Sequence, residues 1–397
     1  MVIYLLVKYY FIKKMKDSPF NYGGIVSDQT FTNRENEIAQ LKGNLLNGIN
    51  TTIISPRRWG KSSLVEKVIK EIEKEEKLNK IVLIDLYSVN SEEEFLESFA
   101  KNVIKASSNK WEEWMSSGKE FFSRLIPKLS IGVNPEVDFS LSFNWNDLKR
   151  NRDEILNLPE AIAEKKGIKF IICLDEFQNL ASFNQYDNFE KELRSYWQRH
   201  KSATYCFFGS KRHMMTNIFN NPSKPFYRFG DTILLQKIET NKWIPFITNG
   251  FIRTGKQINE NYSRLIPKLM KNHPWYVQQF AHYVWNLTDK NVTQKEINTA
   301  LTELLNANSP FYQKEIETIS LTQLNLLKAV LKGETQFTSS TIMQKYFLGT
   351  PNNVSKNKII LTNNDMINQE NGIFEFVDPA FELWFRNQYF NESYLLS

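Results

Sequence analysis

Two cysteines in 397 residues, Cys173 and Cys206, are too few for a disulfide framework. Both lie in apolar runs of strand character, so buried free thiols and a reducing, cytoplasmic compartment are expected. Histidine is almost as scarce. The four histidines (His200, His213, His273 and His282) form no ligand-spaced cluster with the cysteines, which excludes a zinc site of the usual kind. No apolar run approaches the roughly 20 residues that a membrane-spanning helix needs, and no membrane association is expected. Val2–Ile12 is apolar but short and carries Lys8. Lys13, Lys14 and Lys16 follow it, on the wrong side for a secretory leader, and no small-residue cleavage site appears. Met1–Lys14 therefore reads as an upstream extension, with translation expected to begin at Met15. Internal repeats and low-complexity tracts are lacking. A strong charge of either sign is lacking too. The balance of 50 basic and 44 acidic residues, net +6, permits contact with nucleic acid without demanding it.

What is present is the composition of a globular protein, 41% hydrophobic and 24% charged, with a length that suits two or three domains. Phenylalanine, at 29 residues, predicts an aromatic-filled core. The periodicity predicts a helix over Arg34–Leu46 after an extended lead-in at Ile25–Asn33. Strands are predicted at Thr51–Ser55, Ile81–Leu86, Lys169–Leu174, Thr204–Phe208 and Thr232–Leu235. Helices at Lys61–Lys77, Glu92–Ala106, Leu156–Glu164 and Phe189–His200 alternate with them, which implies an α/β fold with a parallel sheet covered by helices. Residues 110–153 interrupt this order. Within them Val137–Phe143 alternates strictly between apolar and polar, and pairs with Leu129–Val133 across Asn134-Pro135 as an inserted hairpin. After Ile238 the texture becomes helical, at Trp243–Thr254, Asn259–Asn272, Pro274–Leu287 and Gln294–Ala307. A final segment of helices ends in a strand at Ile373–Val377, an order that suits a small winged-helix domain.

The motif with the most chemistry is Ser55-Pro56-Arg57-Arg58-Trp59-Gly60-Lys61-Ser62, followed by Ser63. It matches the phosphate-binding loop G-x-x-x-x-G-K-[ST] except that Ser55 replaces the first glycine. It stands between a strand and a helix, where backbone N–H groups of loop and helix can surround phosphate oxygens. Lys61 is placed to reach the β- and γ-phosphates of a nucleotide, and the Ser62 hydroxyl to ligate Mg²⁺. Arg57 and Arg58 read as exposed. The second motif is the apolar strand Phe170-Ile171-Ile172-Cys173-Leu174, ending in Asp175-Glu176. Asp175 suits Mg²⁺, and Glu176 suits a general base on the attacking water. Ser210, in Gly209-Ser210, either senses the γ-phosphate or is only a turn residue. Arg228 is either an arginine finger or a surface ion-pair residue.

These motifs resemble the archaeal-type ATPase family of the STAND class of P-loop NTPases, related to AAA-type ATPases. The resemblance rests on Phe31–Glu37, Ser55–Ser63, Leu174–Gln178, Gly209-Ser210, Tyr227-Arg228, His273–Gln278 and Asp378–Trp384, and covers about Phe20 to Tyr389. It implies a P-loop core with a helical lid and a C-terminal winged helix. The corresponding domains are an N-terminal extension at 1–19, a core at 20–238, a lid at 239–309 and the winged helix at 310–397. It also implies that Arg34, within Asn33–Glu37, leads the chain past the adenine, and that His273-Pro274 meets the nucleotide from the lid. Asn272 stands where the family carries glycine. Arg34 as a helix-end residue and Pro274 as a simple helix start remain alternatives. The expected cofactors are ATP, exchanged with ADP, and Mg²⁺. The expected role is a nucleotide-dependent regulatory switch with slow hydrolysis. Two others stay open: a non-hydrolysing scaffold or DNA-binding protein, and a DNA-stimulated motor acting as a ring. Lys345, Lys356 and Lys358 fit DNA contact, a solvated face or a protein partner equally, and oligomerisation is compatible with all three roles.

Overall fold

The computed structural model describes residues 17–24, 31–76, 78–107, 130–134, 137–142, 148–370 and 372–395. The expected start at Met15, residues 25–30 of the lead-in and most of the inserted region before Leu148, with the Pro135 of its turn, lie outside them. The chain divides into two compact units, Arg34–Gln236 and Met1–Asn33 with Lys237–Ser397.

The Arg34–Gln236 unit runs α1 (Glu35–Leu46), β1 (Thr51–Ile54), α2 (Lys61–Glu75), β2 (Asn79–Asp85), α3 (Glu92–Ala106), β3 (Ser130–Asn134), β4 (Val137–Ser142), α4 (Leu148–Leu156), α5 (Leu158–Lys166) and β5 (Lys169–Asp175). A 3₁₀ turn at Phe177–Ser182 follows, then α6 (Tyr186–Trp197), β6 (Ala203–Gly209), α7 (Arg212–Asn220) and β7 (Asp231–Leu234). Five strands form one parallel sheet in the order β2-β5-β6-β1-β7. The inner strands β1, β5 and β6 are buried almost without interruption because both faces are covered. At the edge, β2 alternates: Val82 and Ile84 are buried while Leu83 and Asp85 are exposed. Cys173 and Cys206 stand opposite each other in the β5–β6 register, both buried and both free, as expected. The expected hairpin is present as β3 and β4, which pair antiparallel.

Helix α7 and the 3₁₀ turn are not anticipated from sequence. Each is short, and α7 buries only Met215, Ile218 and Phe219. The phenylalanine surplus becomes a packed aromatic core. Trp197 stacks on Tyr205 at 4.5 Å between ring centroids, and Phe177 meets Phe207 at 4.8 Å. Phe219, Phe226 and Phe229 complete the cluster, with centroids 5.1 to 5.6 Å apart. Aromatic pairs in this range add to the stabilisation from burial.

The other unit contains α8 (Thr240–Arg253), α9 (Glu260–Leu269), α10 (Pro274–Leu287), α11 (Gln294–Glu317), α12 (Leu321–Leu331), α13 (Ser340–Tyr346), α14 (Pro351–Asn363), β8 (Ile367–Glu370), β9 (Ile373–Phe376) and α15 (Pro379–Phe390). The antiparallel β8–β9 pair and the helices before it make the winged helix. Phe20, assigned from sequence to the P-loop core, instead packs in this unit against Phe251 at 5.6 Å. Gly250 accommodates it, since a Cβ there would lie 2.7 Å from the Phe20 ring. Helix α11 also differs from expectation: it continues through Ser309-Pro310 rather than ending at Ala307. Proline in a helix interior costs about 3 kcal/mol. The turn is held by packing: Trp384 Nε1 donates to Ser309 Oγ at 3.0 Å, and Tyr312 packs on Phe381 at 5.2 Å. Within this unit the helices before the winged helix are tied to it by Tyr276, whose hydroxyl donates to Asp378, and by the Lys271–Glu382 ion pair.

Candidate active site

The phosphate-loop motif leaves the C-terminal end of β1 and enters α2, as its sequence requires. Arg58 and Gly60 take left-handed backbone conformations, φ 63° and 87°, and turn the loop tightly enough to bury Trp59 between them. Arg57 and Arg58 are exposed, as expected. Ser55 has no positive φ, so its position does not need the glycine of the consensus. Helix α2 begins with Gly60 as its N-cap and no side-chain cap, and its first turn has no acidic residue. Its leading N–H groups and the positive end of its dipole suit an anion.

Lys61 is 6% exposed. Its ammonium donates to Pro56 O at 2.9 Å, Ser55 Oγ at 3.2 Å and Ser55 O at 3.3 Å, which holds the charge against the loop. Ser62 Oγ donates to Asp175 Oδ2 at 3.1 Å, so the two motifs meet. Burial pushes the Asp175 carboxyl up to about 6, and the neighbouring Glu176 adds to the shift against the hydrogen bonds from Glu176 N and Ser62. A nearby cation would favour its ionised form. Ser62 and Asp175 could supply two oxygen ligands, and among the described residues no group of three or more acidic, histidine or cysteine residues is arranged to hold a metal ion. That donor set fits Mg²⁺, which takes one or two protein ligands together with phosphate oxygens and water, and does not fit an all-protein cage.

Glu176 has a left-handed backbone, φ 51°, unusual for a non-glycine residue. Phe177, fully buried in the aromatic cluster, fixes the chain immediately after it. Because β6 lies beside β5, Ser210 reaches the same carboxylate. Ser210 Oγ donates to Glu176 Oε2 at 2.9 Å and Ser210 N at 3.2 Å, and Gln178 Nε2 donates to the same oxygen. Ser210 is therefore joined to the acidic pair. Gln178 and Gly209 carry no role in the sequence reading; the available signal was their position, each within two residues of a predicted site residue.

The four other predicted residues are Arg34, Arg228, His273 and Pro274. Arg34 lies in the same unit, 5% exposed, and its Nη1 is paired with Glu37 at 2.7 Å. Arg228 is exposed, with φ 51°. It precedes β7, whose first residue Asp231 aligns with Thr51 at the start of β1. The phosphate loop leaves the opposite end of β1, four residues or about 13 Å away. Arg228 is thus set near the end of β1 remote from the phosphate loop. His273 and Pro274 belong to the other unit. His273 is the N-cap of α10 and 4% exposed, and Pro274 is its first residue, which matches the helix-start alternative.

Residues 31–280 match the family model described as an ATPase domain predominantly from Archaea. The chain belongs to that family. Residues 310–387 match a second model, "Probable winged helix domain". Among solved structures, the Walker-type ATPase PABY2304 of Pyrococcus abyssi is similar, with a TM-score of 0.63 at 17% identity over 94% of this chain and 99% of that one. The ORC2 protein of Aeropyrum pernix, in ADPNP–ADP complexes, gives 0.53 at 12% identity over 93% and 98%. Its ADP form gives 0.51 at 12% identity over 91% and 97%. At such identities the likeness is one of fold. No curated protein matches the chain. The fold is a P-loop NTPase-like parallel sheet with helices and a C-terminal winged helix. Among the described residues no helix is long and apolar enough to cross a membrane.

Proposed function

We propose that the protein binds ATP with Mg²⁺, hydrolyses it slowly to ADP and phosphate, and acts as a nucleotide-dependent regulatory switch of the STAND type. The observation that supports this reading is the meeting of the two motifs: Ser62 hydrogen-bonded to Asp175, with Glu176 beside it and Lys61 at the start of the same helix. Lys61 exchanges its contacts with Ser55 and Pro56 for the β- and γ-phosphates. Ser62 and Asp175 would hold Mg²⁺. The ion, when bound, neutralises charge on the phosphate oxygens. Glu176 orients the attacking water and accepts its proton, and Ser210, on the same carboxylate, is placed to register the γ-phosphate.

The switch reading has further support from the second unit. Tyr276–Asp378, Lys271–Glu382 and Trp384–Ser309 bind the winged helix to the lid, so displacement of the lid carries the winged helix with it. ATP shifts that arrangement only if it binds one state more tightly than the other, and His273-Pro274 is where the family resemblance puts the lid contact. The winged-helix region, 310–397, holds seven basic and nine acidic residues and exposes Phe347 and Ile359. That surface suits a protein partner better than a nucleic-acid backbone. Small-angle scattering on the Glu176→Gln variant with ATP–Mg²⁺, with ADP and without nucleotide tests the switch. Distinct curves are expected. Superimposable curves at confirmed saturation would leave a nucleotide-bound scaffold as the better description.

A further inference from the structure

Gln178 is fully buried immediately beyond the acidic pair. Its Nε2 donates to Glu176 Oε2, the oxygen that also receives Ser210 N at 3.2 Å and Ser210 Oγ at 2.9 Å. Three donors thus converge on one oxygen of the carboxylate. Glu176 Oε1 takes no hydrogen bond among the described residues. The side chain is anchored by one oxygen and presents the other.

The far end of Gln178 explains a glycine. Gly209 lies in strand β6 with no positive φ, so its backbone conformation suits any residue. A Cβ at Gly209 would nevertheless stand 1.8 Å from Gln178 Oε1 and 2.9 Å from its Cδ. The glycine makes a slot for the glutamine amide, and in that slot Oε1 is buried without a hydrogen-bond partner among the described residues. An unpartnered buried oxygen costs roughly 1 to 3 kcal/mol, so ordinary packing does not favour an amide here. What the amide does provide is the donor to Glu176.

We propose that Gln178, seated against Gly209, is the positioning residue of the general base: it fixes Glu176 Oε2 so that Oε1 faces the attacking water. This rests on the reading of Glu176 as that base. Gln178 acts through Glu176, so its loss lowers turnover and leaves nucleotide affinity in place.

The experiment compares steady-state ATP turnover, affinity for a non-hydrolysable ATP analogue and thermal melting in the full chain. The variants are Gln178→Met, Gln178→Ala, Gly209→Ala, the Gln178→Ala/Gly209→Ala double and Glu176→Gln. Methionine keeps the length and bulk of glutamine but has no donor. Gln178→Met is expected to lower kcat by roughly 10- to 100-fold, the scale of a catalytic group displaced by about 1 Å, with analogue affinity within about 3-fold of native. Gly209→Ala should match it, because its methyl evicts the amide. The double variant should be no slower than Gln178→Ala, because the truncated side chain leaves room for the methyl. If Gln178→Met turns over at the native rate while Glu176→Gln is silent, the proposal falls and the base reading stands. If the two Ala effects multiply in the double variant, the slot has no role through Gln178 and the proposal falls. Turnover by Glu176→Gln at the native rate, or none by the native chain, overturns the base reading and this proposal with it.

Discussion

Replacing Lys61 with alanine removes the one buried cation of the phosphate loop, and the cost can be worked from its surroundings. Lys61 is 6% exposed, so its ammonium meets a phosphate oxygen largely out of water. Two unit charges about 4 Å apart attract by about 4 kcal/mol at an effective dielectric near 20. Part of this is offset, because the ammonium must first leave Pro56 O, Ser55 Oγ and Ser55 O, which lie 2.9 to 3.3 Å away. Exchanging such contacts costs about 1 to 2 kcal/mol. The net loss on mutation is then about 2 to 3 kcal/mol, or roughly 30- to 150-fold in Kd for ATP–Mg²⁺. Titration calorimetry with a non-hydrolysable analogue measures it directly. Fluorescence of Trp59, buried in the same loop, gives a second readout. A Kd within about 3-fold of native, with an unchanged melting curve, would refute the assignment of Lys61 to the phosphates.

Burial pushes His200 down to about 4 in the folded protein, while the unfolded chain protonates near 6.5. The unfolded state therefore takes the proton first as pH falls, and stability present above about 6.5 is lost between there and about 4, by about 3 kcal/mol. Because Asp175, raised to about 6, gains stability in the same window, the test is the difference: urea unfolding at both ends should show a stability change in the native chain less favourable than in His200→Gln by about that amount, and equal changes would contradict it. Arg228→Ala should slow turnover only when Arg228 serves a neighbouring subunit, so the deficit should depend on protein concentration; a concentration-independent deficit would place it in its own chain's site instead. Duplex DNA should leave turnover unchanged, given the acidic balance of the winged-helix region, whereas a many-fold stimulation would favour the motor reading.

The phosphate loop was legible because every residue it uses is contiguous. A strand, a tight turn and a helix start are all local, and Ser55 fits because no positive φ is required there. Asp175 and Glu176 were legible for the same reason: an apolar strand ends in two carboxylates. The contacts that complete the site were not local. Gln178, Glu176 and Ser210 meet only because β6 inserts beside β5, and strand order in a parallel sheet is not written in chain order. The placement of Arg228 follows from the β1–β7 register, which sets it at the edge of the sheet remote from the loop. The helix expected to end at Ala307 continues because contacts of Ser309 and Tyr312 with α15, far along the chain, override the intrinsic cost of Pro310. Phe20 packs on α8, more than 200 residues away in sequence, where no local pattern points.

The central claim is that the Lys61, Ser62, Asp175 and Glu176 constellation binds and hydrolyses ATP. Its most direct test is nucleotide identity and occupancy after incubation of native and Glu176→Gln protein with ATP–Mg²⁺, followed by removal of free nucleotide. The account predicts ADP released by the native protein and ATP retained, unhydrolysed, by the variant. Neither protein holding nucleotide, or the variant producing ADP as fast as the native chain, would contradict it.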